Sequence, residues 1–287
     1  MSWLIFAILT AVCESLKDLF SKLGLQGLNE YLIAWASVIF ALPILTVALV
    51  ITGVPPIGEE YLRALLIHGT VNTCAIILYM RAVKSSELSV TIPMITFSPL
   101  FLLVTSPILV GEHPSSVGLV GVVAIVCGSY LLHIREVRSG VLAPFKALGR
   151  KPGPRYMLFV AFLWSITANY DKIGIQSSSP FFWAFSLAVF MSISMFPFAC
   201  GTNRQIASVA GENIRKLAPI GFFYGATMVF QMIALNLTLV AYVISIKRAS
   251  VALAVLWGGV FLKEKNVKDK LVGVIAMLVG VVLIALG

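Results

Sequence analysis

The chain has 287 residues, of which 59% are hydrophobic and 11% are charged, with a mean hydropathy of +0.99. Soluble domains contain about 25% charged and about 45–50% apolar residues, so this composition excludes a water-soluble globule. The formal net charge of +9 does not indicate a nucleic-acid partner, because the basic residues lie between apolar runs and form no stripe on a soluble domain.

Ten apolar runs are long enough to be membrane spans, since a spanning helix needs about 20 apolar residues. They cover residues 3–24, 31–52, 61–82, 88–110, 115–134, 156–176, 181–200, 217–238, 240–262 and 269–286, and are numbered here as spans 1 to 10. The runs lack the alternation of barrel strands. We therefore predict an all-α integral membrane protein. Pro93 and Pro99 interrupt span 4, where we expect a kink beside a cavity.

The longest connection follows span 5 and contains several basic residues together with Pro152, Gly153 and Pro154. It divides the chain into two halves of five spans each. We predict a first five-helix repeat at residues 1–135, a basic connecting loop at 136–155, and a second five-helix repeat at 156–287.

The two halves resemble each other as an internal repeat. The matched segments are Phe20-Ser21-Lys22-Leu23-Gly24-Leu25-Gln26 with Tyr170-Asp171-Lys172-Ile173-Gly174-Ile175-Gln176, Gly111-Glu112-His113 with Lys263-Glu264-Lys265, and Gly121 and Gly128 with Gly273 and Gly280. The glycines of each pair lie on one helix face, so we expect span 5 to pack closely against span 10. Because each repeat has an odd number of spans, the second half is inverted in the membrane. Many secondary transporters share this plan.

These features together resemble the drug/metabolite transporter superfamily, and within it the EamA-like ten-span permeases. The resemblance rests on the two five-span halves, the K-x-G-x-Q endings of spans 1 and 6, and the Glu in the short loops after spans 4 and 9. It implies a central cavity lined by spans 1, 3, 4, 6, 8 and 9, with spans 5 and 10 as packing helices. Members carry amino acids, metabolites, sugar phosphates, nucleotide sugars or drugs.

Span 1 contains charged residues near its centre, where a charge costs about 2.5–3.5 kcal/mol to insert. Glu14 and Asp18 are four residues apart and share a helix face, and Lys17 can pair with Glu14. One interpretation is that Glu14 and Asp18 couple transport to protons and that Glu14 also binds substrate. The other is an internally salt-bridged helix face. Lys172 in span 6 is expected to reach the membrane interface.

Span 9 places two adjacent cations, Lys247 and Arg248, in an apolar run without an acidic residue. They require an anion, which either Glu14 and Asp18 or the substrate supplies. An Arg fork suits a carboxylate or phosphate, and Lys adds a point charge. The pair also resembles the one that binds substrate phosphate in the triose-phosphate/nucleotide-sugar branch of the superfamily.

Other polar residues within the spans are candidates for lining the cavity and binding substrate by hydrogen bonds. They are Asn72 and Tyr79 in span 3, Asn169 in span 6, and Tyr224 and Gln231 in span 8. The alternative is hydrogen bonding between helices. Trp164 and Trp257 lie near mid-span, where packing and ligand stacking are both open. The histidines His68, His113 and His133 are expected at the interface.

The loops have a strong charge bias. Most of the 21 Lys and Arg residues lie in or beside loops after odd-numbered spans, whereas only Arg63 lies beside a loop after an even-numbered span. Basic loops are normally cytoplasmic, so we expect both termini outside, in a prokaryotic inner membrane. The expected partners are membrane lipids and a small, anionic substrate. The protein is expected to act as a monomer or a homodimer.

The leading hypothesis is a secondary transporter that moves a small organic anion or zwitterion by alternating access. The substrate would be a metabolite, an amino acid or a phosphorylated compound. The alternative is a multidrug exporter of cationic compounds, with Glu14 as the binding carboxylate. An enzyme is not expected, because DDxxD-like, HExxH and nucleophile-elbow patterns are absent. A Gly-rich phosphate loop and clustered Cys or His are absent as well, so we expect no cofactor and no metal.

Overall fold

The computed structural model describes residues 2–24, 30–86, 91–134, 142–202, 211–253 and 267–287, and every regular element in these ranges is helical. The elements are α1 (Ser2–Gly24), α2 (Glu30–Ile39), α3 (Leu42–Thr52), α4 (Glu60–Ser85), a 3₁₀ helix (Ile92–Phe97), α5 (Ser98–Leu109), α6 (Ser116–Ile134), α7 (Ala143–Arg150), α8 (Pro152–Gln176), α9 (Pro180–Thr202), α10 (Ile214–Leu237), α11 (Val240–Arg248) and α12 (Val267–Leu286). The predicted all-α fold is confirmed.

Within the described part of the chain, five helical segments are long and apolar enough to cross a membrane. They are Tyr31–Thr52, Glu60–Val83, Ile92–Leu109, Pro180–Gly201 and Ile214–Leu237, and Ser116–Leu132 and Val272–Leu286 are shorter apolar helices. Helices α1 and α8 match spans 1 and 6 in length, but they carry the charged residues noted above. The second part of span 9, with Trp257, and the segment Lys263-Glu264-Lys265 lie outside the described residues.

Prolines set several helix boundaries. The interruption predicted for span 4 is confirmed, because Pro93 lies in the first turn of the 3₁₀ helix and Pro99 in the first turn of α5. Span 2 is also divided into α2 and α3, with Pro43 in the first turn of α3. Helix α8 begins at Pro152, so this proline opens a helix instead of lying in a loop. Proline fits a first helical turn because the N–H that it lacks has no partner there.

The helices form two compact units. The first unit consists of Ser2–Gly69 and Asp171–Leu237, and the second of Thr70–Tyr170 and Thr238–Gly287. Each unit takes helices from both halves of the sequence, so these units do not coincide with the two sequence repeats. Helix α7 and the start of α8 lie within the segment expected as a loop at residues 136–155. The division of the sequence into repeats at the stated boundaries stays a prediction.

The predicted contact between spans 5 and 10 is confirmed in the second unit, where α6 packs along α12. A Cβ atom on Gly121 would lie 2.7 Å from the carbonyl oxygen of Gly280, and one on Gly128 would lie 2.6 Å from that of Gly273. The two backbones therefore touch at both glycine pairs. Dispersion and close backbone approach drive such helix pairs in lipid.

Contacts between loops agree with spans of alternating direction. In the first unit the backbone N–H of Gly58, after span 2, donates to the carbonyl of Ser177, after span 6, at 2.8 Å. In the second unit the loop after span 4 bonds to the start of span 9 through Glu112 and Val240 at 2.7 Å. Ser86 after span 3 accepts from the N–H of Gly153 before span 6 at 3.1 Å. Each contact joins two loops, or a loop and a helix end, that the ten-span topology places on one side of the membrane.

Candidate functional site

A cluster around Arg248 in the second unit, called here the Arg248 site, brings together residues from four helices. Arg248 is the last residue of α11, and Ser98 is the first residue of α5. The guanidinium donates to Ser98 Oγ from Nε at 3.1 Å and from Nη2 at 2.9 Å. Its Cζ atom lies 5.6 Å from the ring centre of Trp164 on α8. A hydroxyl and an aromatic face thus orient the guanidinium.

Trp164 is the centre of this site. Its indole N–H donates to Asn72 Oδ1 on α4 at 3.2 Å. The ring of Tyr79, also on α4, stacks on the indole with centroids 5.9 Å apart and planes at 27°. The structure therefore gathers Asn72, Tyr79 and Arg248, three of the residues predicted to bind substrate, around one tryptophan. Lys247 precedes Arg248 on α11 and is half-buried.

A buried helix holds Arg248 in position. Residues Val240 to Ile246 of α11 are all buried. At the start of this helix the backbone N–H of Val240 donates to Glu112 Oε2 at 2.7 Å. A carboxylate there satisfies a backbone N–H and complements the helix dipole. Tyr242 Oη accepts from the N–H of Ser115 at 3.0 Å. Glu112, noted in the sequence as a motif residue in a short loop, thus caps the helix that carries the cations.

Asn169 on α8 lies next to the same helix, α5. It is fully buried, and its Nδ2 donates to Thr105 Oγ1 at 3.0 Å and to the carbonyl of Ser165 at 2.8 Å. Among the described residues, its Oδ1 has no hydrogen-bond partner. Thr105 and Ser98 are seven residues apart, so they lie on one face of α5. Arg248 and Asn169 therefore contact the same face of this helix.

The charged face of α1 belongs to the first unit. Lys17 Nζ lies 2.7 Å from Glu14 Oε1 and 3.1 Å from Asp18 Oδ1. The side chains of Glu14 and Lys17 are 15% and 19% exposed, whereas that of Asp18 is 51% exposed. This is the salt-bridged helix face that the sequence left open as one interpretation. Tyr224 on α10 interacts electrostatically with Glu14 and Lys17.

The structure divides the predicted site residues between the two units. Those in the second unit are Asn72, Tyr79, Asn169, Lys247 and Arg248, and those in the first unit are Glu14, Asp18, Tyr224 and Gln231. Gln231 is buried on α10, seven residues after Tyr224. That Glu14 or Asp18 supplies the anion for Lys247 and Arg248 stays a prediction.

A second ionisable cluster in the first unit was not predicted. His68 Nδ1 lies 3.1 Å from Asp171 Oδ1, with side chains 7% and 6% exposed. Asp171 Oδ1 also accepts from Trp183 Nε1 at 2.9 Å. The expectation of His68 at the interface is wrong, because this side chain is buried against a carboxylate. An ionisable residue inside an apolar span is by default a functional candidate, and this signal could have identified the pair.

Lys172 differs from its expectation as well. It is 8% exposed, and its Nζ donates to the carbonyl of Leu235 near the end of α10 at 2.6 Å. The prediction that it reaches out to the membrane interface is wrong, because a backbone carbonyl within the unit satisfies the ammonium. Among the described residues, no three His, Cys, Asp or Glu side chains group as a metal site would require.

Known proteins match the chain at the level of family and fold. A family model described as the EamA-like transporter family matches residues 1–134 and 151–286. One solved structure, described only as the crystal structure of a protein, has a TM-score of 0.77 and 14% sequence identity. The match covers 99% of this chain and 96% of that chain, and it is evidence for the fold alone. No curated protein matches the sequence.

Proposed function

Since this chain belongs to the EamA-like transporter family, we propose that it is a secondary carrier of a small organic anion or zwitterion. The family match falls separately on each half of the chain, as a duplicated carrier requires. Two inverted five-span halves support alternating access, in which one binding site opens to either side in turn. The substrate class depends on the site itself.

The observation that carries this proposal is the environment of the Arg248 guanidinium. The contacts to Ser98 and Trp164 fix its plane. Charged groups within a span are costly and are retained for function. A planar Arg fork matches a carboxylate or phosphate in two parallel hydrogen bonds, and Lys247 adds a second positive charge nearby. The anionic end of the substrate is therefore assigned to Arg248.

The groups around Arg248 support a substrate that also has a polar donor. Asn72 and Tyr79 flank Trp164 and combine an amide and a hydroxyl with an aromatic surface. Beside Thr105 of α5, the Oδ1 atom of Asn169 on α8 is a buried acceptor with no hydrogen-bond partner among the described residues. A buried acceptor left in this state costs about 1–3 kcal/mol, which a bound ammonium or hydroxyl would recover. A zwitterion or a hydroxylated anion offers such a donor.

The rival function is export of cationic compounds bound by Glu14. In the structure, Lys17 Nζ lies 2.7 Å from one oxygen of that carboxylate. A cationic drug would have to displace this ammonium to make the same contact. The cation exporter therefore ranks second, and a Glu14-dependent response to a cationic dye would reverse the order.

A thermal-stability screen of the purified protein tests both functions. The panel is pyruvate, inorganic phosphate, L-serine and ethidium, which represent a carboxylate, a phosphate, a zwitterion and a cation. We expect at least one of the first three compounds to raise the Tm of the wild type and to leave the Tm of Arg248→Gln unchanged. Arg63→Gln is the matched control, because Arg63 pairs with Glu60 on the exposed first turn of α4. Stabilisation that persists unchanged in Arg248→Gln removes this residue from the site.

For localisation, we propose that the basic loops after odd-numbered spans are cytoplasmic, in a prokaryotic inner membrane. The support is the charge bias together with the short charged loops. Replacing Ser2 by cysteine in a variant without the four native cysteines allows the N-terminus to be labelled by a membrane-impermeant maleimide in intact cells. Labelling only after permeabilisation would reverse the orientation.

A further inference from the structure

The buried pair of His68 and Asp171 in the first unit has no part in the Arg248 site. His68 lies about two turns after the start of α4, and Asp171 lies in the last turns of α8. The N–H of Gly58, before α4, donates to the carbonyl of Ser177, after α8, so the start of α4 and the end of α8 are adjacent. The pair of His68 and Asp171 lies below this end of the unit. Both side chains are more than nine-tenths buried. A carboxylate buried in a membrane span needs a compensating proton or cation.

The hydrogen-bond geometry defines which nitrogen can exchange a proton. Nδ1 of His68 lies 3.1 Å from Asp171 Oδ1, and a carboxylate at this distance favours the tautomer in which Nδ1 keeps its hydrogen in both charge states of the ring. Proton uptake then occurs at Nε2 and converts a neutral imidazole beside a carboxylate into an imidazolium–carboxylate pair. Proton release restores the neutral ring. The step needs no other reactant.

Trp183 fixes the carboxylate that orients the histidine. Its Nε1 donates to the same Asp171 oxygen, and its ring is fully buried. The imidazole lies edge-on to the indole, with centroids 6.1 Å apart and planes at 86°. Gly174, one turn after Asp171, makes room for the indole, because a Cβ at this position would overlap the ring. The glycine of the K-x-G-x-Q segment in span 6 thus has a role in holding this pair.

Other ionisable groups surround the pair. They are Lys172 on α8, Tyr61 on α4 and Tyr224 on α10, and Tyr224 in turn interacts with Glu14 and Lys17 on α1. Lys172 Nζ donates to the Leu235 carbonyl at 2.6 Å, and Tyr61 Oη donates to Ser186 Oγ. Tyr224 interacts electrostatically with Asp171 and also with the ion pair of α1. The ammonium of Lys172 thus contacts a carbonyl, and the imidazole of His68 contacts the carboxylate.

We propose that His68 and Asp171 form the proton-binding site that energises the carrier, with Nε2 of His68 as the atom that gains and loses the proton. Chains of Asp, Glu and His inside a membrane commonly serve as proton relays. Histidine changes its charge between about pH 5 and pH 8, the range that a cellular pH gradient spans. Helices α4 and α8 carry this pair and also carry Asn72 and Trp164 of the Arg248 site. A rearrangement at the proton site is therefore transmitted along two helices that bind substrate.

The fluorescence of Trp183 reports the charge of His68, because a protonated imidazole quenches a neighbouring indole. The signal is the difference between the wild type and Trp183→Phe, measured on purified protein from about pH 5 to pH 8 without substrate. We expect a single step in this difference. The same subtraction in a His68→Gln background should show no step. Asp171→Asn keeps an acceptor for the indole but removes the charge opposite the imidazolium, and it should change the position of the step on the pH axis.

His113→Gln is the matched control, since His113 is exposed in the loop after α5. Its step should equal that of the wild type. A step that persists in His68→Gln, or a wild type without any step, overturns the proposal. The inference rests on the proposed carrier function, but the titration is independent of substrate. If the wild type shows no fluorescence step but a ligand still raises its Tm through Arg248, only the proposed proton site is contradicted. If the wild type shows the step but no anionic ligand raises its Tm through Arg248, only the proposed substrate class is contradicted.

Discussion

Gly128 of α6 and Gly273 of α12 are in backbone contact. A Cβ on Gly128 would lie 2.6 Å from the carbonyl oxygen of Gly273, and a Cβ on Gly273 would lie 2.8 Å from that of Gly128. Gly121 and Gly280 repeat this arrangement two turns away. Close contact of this kind fixes the separation of two helices in lipid, because apolar side chains gain little free energy when they move from lipid into a helix interface. The stability of the second unit therefore depends on the contact between α6 and α12.

Replacing Gly128 by alanine should lower the stability of the protein by about 1–3 kcal/mol, because the added methyl group forces the two backbones apart. The measurement is unfolding of the purified protein in detergent. Gly201→Ala on α9 is the control, because no atom lies within 4 Å of a Cβ at that position. The control should be neutral or more stable by about 0.5–1 kcal/mol. Equal effects at both positions would contradict the backbone contact.

The sequence predicts this helix pair well because its cause is local and repeated. Seven-residue spacing places Gly121 and Gly128 on one helix face, and the internal repeat identifies Gly273 and Gly280 as their counterparts. The pair of His68 and Asp171 is different. Its two members lie in opposite halves of the chain, and no spacing rule connects them. Only the packing of α4 against α8 brings them together.

The same distinction applies to the Arg248 site. The cost of burying charge identifies Lys247 and Arg248 as functional candidates from the sequence alone. The identity of their neighbours depends on tertiary structure, and so the sequence left the role of Trp164 open and did not include Ser98. The pairing of Glu14 with Lys17 could be predicted as one of two alternatives, because both residues lie within one turn of one helix.

Ser98→Ala should weaken binding of the anionic ligand found in the stability screen by about tenfold or more. The substitution removes both hydrogen bonds that hold the guanidinium, and hydrogen bonds to charged groups contribute about 1.5–3 kcal/mol. The measurement is the Kd from the dependence of Tm on ligand concentration. Ser86→Ala is the control, because Ser86 Oγ accepts from Gly153 at a loop and not from the guanidinium. A Kd equal to that of the wild type would show that Ser98 does not position Arg248.

Trp164→Phe and Trp164→Ala separate two contributions of this tryptophan. Phenylalanine retains an aromatic face for Arg248 and Tyr79 but loses the hydrogen bond to Asn72. Alanine loses all three contacts. If the aromatic face orients the cation, the alanine variant should bind the anionic ligand more weakly than the phenylalanine variant. The difference in binding free energy should be about 0.5–2 kcal/mol. Similar affinities in the two variants would assign the role of Trp164 to its hydrogen bond alone.

Lys17→Met should destabilise the first unit by about 3 kcal/mol, because it leaves two carboxylates on α1 without the ammonium that bridges them. The double variant with Glu14→Gln should lose less than the sum of the single variants. The exposed pair of Glu60 and Arg63 offers a matched cycle, in which the coupling should be about 0.2–1 kcal/mol. Equal coupling in the two cycles would mean that α1 is as solvated as the helix surface.

His68→Gln should separate exchange from accumulation. In vesicles that contain the protein, exchange of the anionic ligand across the membrane requires only the Arg248 site, so its rate should stay near that of the wild type. Accumulation driven by an imposed pH gradient requires a proton to travel with the substrate, and it should be lost because glutamine cannot take up the proton. His113→Gln should retain both activities. Accumulation in His68→Gln at the wild-type level would show that another group carries the proton, and Glu14 would then be tested next with Glu14→Gln. Loss of exchange together with accumulation would instead place His68 in the substrate site.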